Sequence, residues 1–403
     1  MAGFEPFFGA LFNILILITI IALVARRLRV PYTVALVFAG LITPLFPGFS
    51  LPEITPEIFM MLLLPPLVFK AAMNMNLKDV RRDADMVLSF AFIGTLLSVV
   101  FIALFTYFFL RLFLPTFGLL EAFLLGVIAA PTDPVAVESA FQKLKVPKRL
   151  SRIIEGESLF NDGVAIVLYS AIISAFVTNM FVPLLITGEI ILAVIGGAII
   201  GGVLGYAISR ILCLSEDKFT SILLSFITVY GTYQLAETLQ VSGIIAVAVA
   251  GLTMMSLRNK SLSQESTNML YAVWDFVAFL ATSVAFIVVG VDLKLGLLWN
   301  YLWIVLPAIC IILFTRFLMV YLISTVLYMR KKVIPGTWRD LIVWSGLRGP
   351  VSIVMALGLS GLHIEHAAEI TAITFGVIVF SILVQGLSLS KVVQKLGVAN
   401  ETW

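Results

Sequence analysis

Residues 86–110 of the chain read MVLSFAFIGTLLSVVFIALFTYFFL, a run of 25 residues without a charged side chain. A transmembrane α-helix requires about 20 such residues, because each backbone polar group in lipid must be hydrogen-bonded within the segment. The apolar residues are continuous and do not alternate with polar ones, which favours a helix over a strand of a membrane barrel. The run therefore predicts a membrane-spanning helix.

The composition of the whole chain supports the same class. The 403 residues are 61% hydrophobic and 12% charged, with a mean hydropathy of +1.11. Soluble domains carry about 45–50% apolar and about 25% charged residues. This difference excludes a soluble enzyme, a disordered scaffold and a nucleic-acid-binding protein. Cys213 and Cys310 lie in apolar runs and indicate neither a disulfide framework nor a thiolate metal site, and no cofactor is expected.

Apolar runs between charged or Pro/Gly-rich breaks predict an all-α polytopic membrane protein with about thirteen transmembrane helices. The predicted spans are 7–25, 32–46, 56–73, 86–110, 119–141, 150–176, 184–211, 219–237, 241–257, 269–292, 298–328, 339–361 and 367–390. We expect residues 1–403 to form a single membrane transport domain, without a soluble regulatory domain.

The basic residues predict the orientation of these spans. If the loops after odd-numbered spans and the C-terminus lie in the cytoplasm, that side holds 21 of the 26 Lys and Arg residues, and the opposite side holds only Arg111 and Lys294. The positive-inside rule then places the N-terminus outside the cell membrane (plasma or inner) and the C-terminus in the cytoplasm. Arg26, Arg27 and Arg29 follow the first apolar run, which indicates a membrane span and not a cleaved signal peptide.

Two of the predicted spans contain proline beside a charge. The fifth includes Ala130-Pro131-Thr132-Asp133-Pro134 and the twelfth includes Gly346-Leu347-Arg348-Gly349-Pro350. Proline removes a backbone donor and clashes with the preceding turn, so a straight helix cannot continue through either place. Each is the fifth span of a six-span set, 7–176 and 219–390, and the two sets are joined by a linking helix at 184–211. Because paired broken helices are typical of transporters with inverted repeats, we predict an ion site where they meet. The alternative is that the prolines only bend their helices.

A polar edge on the sixth span supplies candidate ligands. Glu157 and Asn161 lie four residues apart on one stripe of a helix, and Ser158 and Asp162 share the stripe beside it. Hard cations prefer oxygen ligands, and a carboxylate holds either a cation or a proton but not both. Asp162 is therefore a candidate for coupling two fluxes by competition. For Glu157 and Asn161 the alternative is a hydrogen-bond network that only holds the helices together.

Further charges within the predicted spans need partners, since an ionisable group at mid-bilayer costs about 2.5–3.5 kcal/mol. We expect Arg348 to be the counter-charge of Glu157, because the broken twelfth span should meet the polar edge of the sixth. Arg316 and Asp275 are expected to form a second, structural pair.

Three motifs together resemble the NhaP-type sodium/proton antiporters, the branch that includes the animal sodium/hydrogen exchangers. They are Thr132-Asp133-Pro134, residues 156–163 (GESLFNDG) and residues 346–352 (GLRGPVS). Weaker matches are Leu64-Pro65-Pro66-Leu67 and Thr315-Arg316. The resemblance extends over the whole chain, in order.

The resemblance implies a homodimer that works by an elevator-like cycle of alternating access. The residues that would bind the monovalent cation or the proton are Asp162, Asp133, Ser158 and Thr132. Asn161 would orient Asp162, and Glu157 with Arg348 would form a stabilising ion bridge. An asparagine before the aspartate goes with electroneutral one-for-one exchange in this family.

The chain departs from the family pattern at Lys70. Family members usually carry an acidic residue here, in the pattern Phe-acid-Ala that helps to bind the cation, whereas this chain reads Phe69-Lys70-Ala71. In one interpretation Lys70 faces the site, where it repels a cation and attracts Asp162. In the other it extends to the nearby cytoplasmic face with its ammonium group in water. The sequence leaves both interpretations open.

We therefore expect a secondary antiporter, not an enzyme, that exchanges Na+ or Li+ for H+ across the bilayer. Potassium/proton exchange is an alternative that Lys70 leaves open. A cation channel or sensor on the same scaffold is the alternative from another functional class.

Overall fold

The structure is a computed structural model that describes residues 4–28, 30–46, 51–52, 54–178, 183–214, 217–257, 264–293, 295–359, 361–362 and 364–398. It is all-helical, with 85% of the residues in helices and no strand among those described. Nine of the described helices are long and apolar enough to cross a membrane, and three shorter apolar helices accompany them. The predicted fold class, with about thirteen transmembrane helices, is confirmed.

The helices correspond to the predicted spans, with boundaries that differ by a turn or two. In chain order they are α1 Phe4–Leu28, α2 Tyr32–Leu45, α3 Pro56–Asn74, α4 Leu77–Arg82, α5 Ala84–Leu110, α6 Leu119–Ala129, α7 Val135–Leu144, α8 Lys148–Thr178, α9 Pro183–Leu212, α10 Lys218–Thr238, α11 Gly243–Leu257, α12 Gln264–Asp292, α13 Leu295–Asn300, α14 Leu302–Met329, α15 Gly336–Trp344, α16 Pro350–Leu357 and α17 Ala367–Leu396.

Both predicted breaks are present. The fifth span consists of α6 and α7, with a non-helical stretch at residues 130–134 between them, and the twelfth consists of α15 and α16, separated at residues 345–349. Pro350 is the first residue of α16, where its missing N–H is harmless and its fixed φ suits a helix start. The prolines therefore interrupt these helices and do not merely bend them.

Two short helices were not predicted as separate elements. α4 falls in the basic segment after the third span, and α13 overlaps the start of the eleventh. The Asn76 side chain caps α4 by accepting a hydrogen bond of 2.9 Å from the Lys78 amide. Asp79 in its first turn and Arg82 in its last complement the helix dipole.

Among the helices that the structure describes, four contain a π-helical turn, at Phe59–Leu63, Ser89–Gly94, Ile227–Gly231 and Ser381–Gly386. The first is followed within two residues by Pro65-Pro66, whose missing N–H groups break the regular hydrogen-bond ladder. Each of the other three ends at a glycine, a residue that weakens an α-helix locally. Such single turns are frequent at functional places in helices, and the hydrophobic pattern did not reveal them.

α8 lies at the centre of the bundle. It packs against α5, α6 and α11, and its side chains Leu159, Val164 and Ala165 belong to the largest buried apolar cluster. This packing surrounds the polar edge of α8 with apolar residues and positions it beside the two breaks.

Candidate ion-binding site

The two broken spans contact each other through their non-helical segments. The Asp133 amide donates a 2.7 Å hydrogen bond to the Leu347 carbonyl. In the reverse direction, the Arg348 guanidinium donates to the carbonyls of Ala130 and Pro131, the latter at 3.0 Å. Each non-helical segment thus supplies hydrogen-bond partners to the other, for backbone groups that have no partner within their own helix. A membrane interior requires such partners. The prediction that the breaks meet is confirmed.

Glycine permits this close approach at Gly349. An ideal Cβ on Gly349 would lie 2.5 Å from the Cβ of Asp133, below ordinary van der Waals contact, so a larger residue would push the crossing segments apart. Gly346 instead makes room for Arg316 of α14, since a Cβ there would lie 2.8 Å from Nε of that residue.

Three polar side chains connect α8 to the first break. The Asn161 amide nitrogen donates to Oγ1 of Thr132 at 2.8 Å, and the hydroxyls of Thr132 and Ser158 lie 3.0 Å apart. All three residues are buried. The structure therefore brings together Thr132, Ser158 and Asn161, with the hydroxyls of the first two beside each other. Asn161 was expected to orient Asp162, but its amide nitrogen donates to Thr132.

Asp162 lies one residue after Asn161 on α8 and is partly exposed. Within the described part of the chain its carboxylate has no hydrogen bond or ion pair, and the nearby charge that acts on it is the carboxylate of Asp133. Carboxylate and hydroxyl oxygens are hard donors, the kind that suits a monovalent cation or a proton, and Asp162 follows Ser158 by one helical turn while Asp133 is next to Thr132 in the chain. The site thus contains an acid that is free to bind a small cation.

The buried carboxylate of Glu157 is paired with Arg316. The guanidinium donates to both carboxylate oxygens, with Nη2 at 3.1 Å from Oε2, and also to the Ile342 carbonyl at 3.1 Å. The predicted ion bridge between Glu157 and Arg348 is therefore wrong in its partner. Arg348 instead lies at the helix break, where its guanidinium donates hydrogen bonds to the uncapped carbonyls.

The predicted pair of Arg316 with Asp275 is also wrong. Asp275 forms an ion pair with Lys70, whose ammonium also lies 5.0 Å from the ring centre of Tyr271. The Lys70 side chain is 16% exposed and that of Asp275 is 61% exposed, so the pair lies at the edge of the bundle. A nearby carboxylate and aromatic face satisfy the ammonium there, and Lys70 is not a charge that acts on Asp162.

The main residue that sequence reasoning misplaced is Arg316. Its only signal was the weak Thr315-Arg316 match, and no spacing rule connects a residue of the eleventh span to one of the sixth. The Leu347 carbonyl was also not anticipated as a backbone partner of Asp133.

The sequence can be compared with known proteins on this basis. A family model described as "Sodium/hydrogen exchanger, transmembrane" matches residues 14–395. The chain belongs to the sodium/hydrogen exchanger family.

Two relatives, one of them longer than this chain, support this membership. The Na(+)/H(+) antiporter NhaH of Halobacillus aidingensis is 33% identical over 420 residues, covering 99% of this chain and 100% of that protein. The Na(+)/H(+) antiporter ApNhaP of Aphanothece halophytica is 32% identical over 382 residues, covering 93% of this chain and 71% of that protein. Both relatives are named as antiporters, and the similarity extends over nearly the whole of this chain.

A solved structure shows the same fold. The sodium proton antiporter MjNhaP1 from Methanocaldococcus jannaschii superposes with a TM-score of 0.81 at 22% identity, covering 99% of this chain and 100% of that one. The arrangement of helices in this exchanger-family chain is therefore that of a known antiporter.

Proposed function

We propose that the protein exchanges a monovalent cation, Na+ or Li+, for H+ across the membrane by alternating access, with Asp162 as the shared carrier. The observation that carries this proposal is the Asp162 carboxylate, which has no ion-pair partner within the described chain although it sits beside a helix crossing where other charges are paired. An unpaired acid among apolar helices is costly, so its retention points to a transported ligand.

The cation would be held by oxygen atoms from two elements. Asp162 and Ser158 come from α8, and Asp133 and Thr132 come from the break between α6 and α7. Asn161 holds the Thr132 hydroxyl and thereby supports this arrangement. A proton on Asp162 removes the charge that binds the cation, so the two ligands exclude each other.

The charge of the site supports one-for-one exchange. Glu157 is neutralised by Arg316, which leaves Asp133 and Asp162 against Arg348 and a net charge of −1. One monovalent cation or one proton restores neutrality. Loaded forms of equal charge would cross the membrane in both directions, which makes the cycle electroneutral.

The rate at which a preset pH gradient is dissipated in proteoliposomes tests the proposal. Adding Na+ or Li+ should dissipate the gradient, at a rate independent of an imposed membrane potential, with K+ as the comparison ion for the alternative cation. Asp162→Asn should abolish the response. Asp217→Asn is the matched control, because it makes the same chemical change at an exposed helix cap outside the site. Full activity of Asp162→Asn, or a cation current without proton movement, would contradict antiport through Asp162.

Lys70 provides a second test. Because Lys70 pairs with Asp275 and is not a charge that acts on Asp162, Lys70→Gln should change the apparent sodium affinity by no more than about fivefold, or about 1 kcal/mol. The measurement is the sodium dependence of gradient dissipation. A tenfold or larger gain in sodium affinity in Lys70→Gln would mean that the ammonium faces the bound cation. In the native protein, a preference for K+ over Na+ would favour potassium exchange.

We also propose that the N-terminus lies outside the cell membrane and the C-terminus inside, as the 21-to-2 distribution of basic residues favours. Cys213 is exposed at the end of α9, on the side placed in the cytoplasm. A membrane-impermeant maleimide should label it in inside-out vesicles but not in intact cells. Labelling from outside would reverse the orientation.

The family resemblance supports a homodimer of two membrane domains, each with a first repeat at about 7–176 and a second at about 219–390. Light scattering of the purified protein should give twice the chain mass of 44.1 kDa, after correction for bound detergent. A single-chain mass at micromolar protein would contradict the dimer.

A further inference from the structure

A cavity with a basic lining lies away from the ion site. It has a volume of about 260 Å³ and is lined by Arg149, Lys331 and Lys332 together with Met86, Val333 and Trp338. Its walls come from the start of α5, the start of α8, the end of α14 and the start of α15. These helix ends lie on one side of the bundle, the side that the basic residues assign to the cytoplasm.

The charges around this cavity do not balance. Three basic residues line it, and the ion pairs of two of them bring in two more, so the basic residues at this place are Arg82, Arg149, Arg152, Lys331 and Lys332. The three acidic members are Asp79, Asp83 and Asp85. The net charge is therefore +2. This excess matches one or two negative charges on a bound group.

The helix ends add to the positive potential. α8 begins with Lys148 and Arg149 and has no acidic residue in its first turn, although the N-terminal end of a helix favours anions. α15 begins beside Pro335, which lines the cavity, and it has neither a side-chain cap nor an acidic residue in its first turn. The buried carboxylate of Asp83 lies 2.8 Å from Arg149, and the remaining positive potential at these helix starts favours a further anionic group.

Lys331 is held in an unusual backbone conformation. Its φ of 61° lies in the left-handed region, at the C-terminal cap of α14, where the amide of Lys332 bonds back to the Leu327 carbonyl at 2.9 Å. Glycine is the usual residue at such a position because it has no Cβ to strain the backbone. Lysine is strained here but presents an ammonium group at the cavity.

The cavity also has exposed apolar side chains at or near it. Val333, one of its lining residues, is 60% exposed, and Leu88 and Met329, each two residues along the chain from the lining residues Met86 and Lys331, are 44% and 70% exposed. A headgroup that carries acyl chains would cover both kinds of surface. A free phosphate ion would cover only the basic one.

We propose that this cavity binds the phosphate headgroup of an anionic glycerophospholipid, with the acyl chains over Leu88, Met329 and Val333. Basic pockets between transmembrane helices at the cytoplasmic side have the chemistry for such headgroups. The bound lipid connects α5, α8, α14 and α15, and two of these helices carry the buried pair of Glu157 and Arg316. The site is separate from the proposed ion-binding residues.

Native mass spectrometry of the purified full chain tests this assignment, with dioleoyl phosphatidylglycerol, dioleoyl phosphatidylcholine and inorganic phosphate as separate probes. The decisive variant is Lys331→Gly, since it removes the ammonium while relieving backbone strain. Lys145→Gly is the matched control, because Lys145 is an exposed lysine with φ of 54° at another helix end, outside the cavity.

The expected result is tighter binding of phosphatidylglycerol than of phosphatidylcholine. Lys331→Gly should weaken phosphatidylglycerol binding by about fivefold, and adding Lys332→Gln by about 25-fold in total, since each basic residue contributes about 1 kcal/mol. Lys145→Gly should bind as the native chain does. Equal binding of the two lipids would overturn the proposal, as would an equal loss in Lys145→Gly. Binding of inorganic phosphate that displaces phosphatidylglycerol completely would assign the cavity to a soluble ion and overturn the lipid assignment.

Discussion

Replacing Glu157 by glutamine should destabilise the protein strongly, because it leaves the Arg316 guanidinium buried without a counter-charge. Glu157 is 2% exposed and Arg316 is 4% exposed, and the guanidinium donates to both carboxylate oxygens. Removing one partner of a buried pair costs about 3–5 kcal/mol. A folded domain is stable by about 5–15 kcal/mol, so the loss would be a large share of the total.

A double-mutant cycle separates the cost of an unpaired charge from the net contribution of the pair. Arg316→Gln alone should also be strongly destabilising, because Glu157 then remains buried and charged. The double variant has no buried charge at this place and should recover much of the stability. The coupling energy should therefore lie at or above the upper end of the usual range for contacting residues, about 0.5–3 kcal/mol.

The assay is unfolding in mixed micelles with an increasing fraction of dodecyl sulfate, followed by tryptophan fluorescence. The matched cycle pairs Glu157 with Arg348, whose guanidinium donates to backbone carbonyls and not to the carboxylate. That coupling should be clearly smaller. A Glu157–Arg348 coupling equal to or larger than the Glu157–Arg316 coupling would refute the assignment of partners.

Two further substitutions test the geometry of the ion site. Gly349→Ala places a methyl group 2.5 Å from the Cβ of Asp133, so it should abolish gradient dissipation. Gly202→Ala is the control and should leave transport intact, because the nearest atom to its methyl group lies at 4.0 Å. Equal activities of the two variants would mean that the crossing can widen. Asn161→Ala removes the donor to the Thr132 hydroxyl and should weaken apparent cation affinity by about two- to tenfold, the value of one hydrogen bond. An unchanged sodium dependence would show that the threonine oxygen needs no support.

The helices and the two breaks could be predicted from the sequence because both depend on local chemistry. An apolar run of sufficient length spans a membrane whatever its neighbours are. Proline interrupts a helix through its own ring and its missing N–H. The polar edge of α8 followed from helical spacing alone, and its residues Ser158 and Asn161 contact Thr132 in the structure. The π-helical turns could not be read in this way, because they shift a hydrogen-bond pattern without changing the apolar content.

The charge partners could not be predicted because they depend on where helices cross. Arg316 and Glu157 are 159 residues apart, and Lys70 and Asp275 come from different spans again. From the sequence, each cation had more than one acid within plausible reach. The choice is made by backbone carbonyls: those of Ala130 and Pro131 engage Arg348 and leave Glu157 to Arg316.

The pairing matters more for the proposed mechanism than the total charge does. With the expected set, in which Lys70 and Arg348 oppose Asp133, Glu157 and Asp162, the site has a net charge of −1, and with Arg316 in place of Lys70 the value is the same. The two arrangements differ in which acid is already neutralised. A lysine ammonium paired with Asp162 would occupy the place of the transported cation. The carboxylate would then have to release that ammonium in every cycle. Because Lys70 binds Asp275, the negative charge that remains is on the carboxylates that face the candidate cation site. A proton and a metal ion can then compete for Asp162 on equal electrostatic terms, which is the condition for coupled exchange.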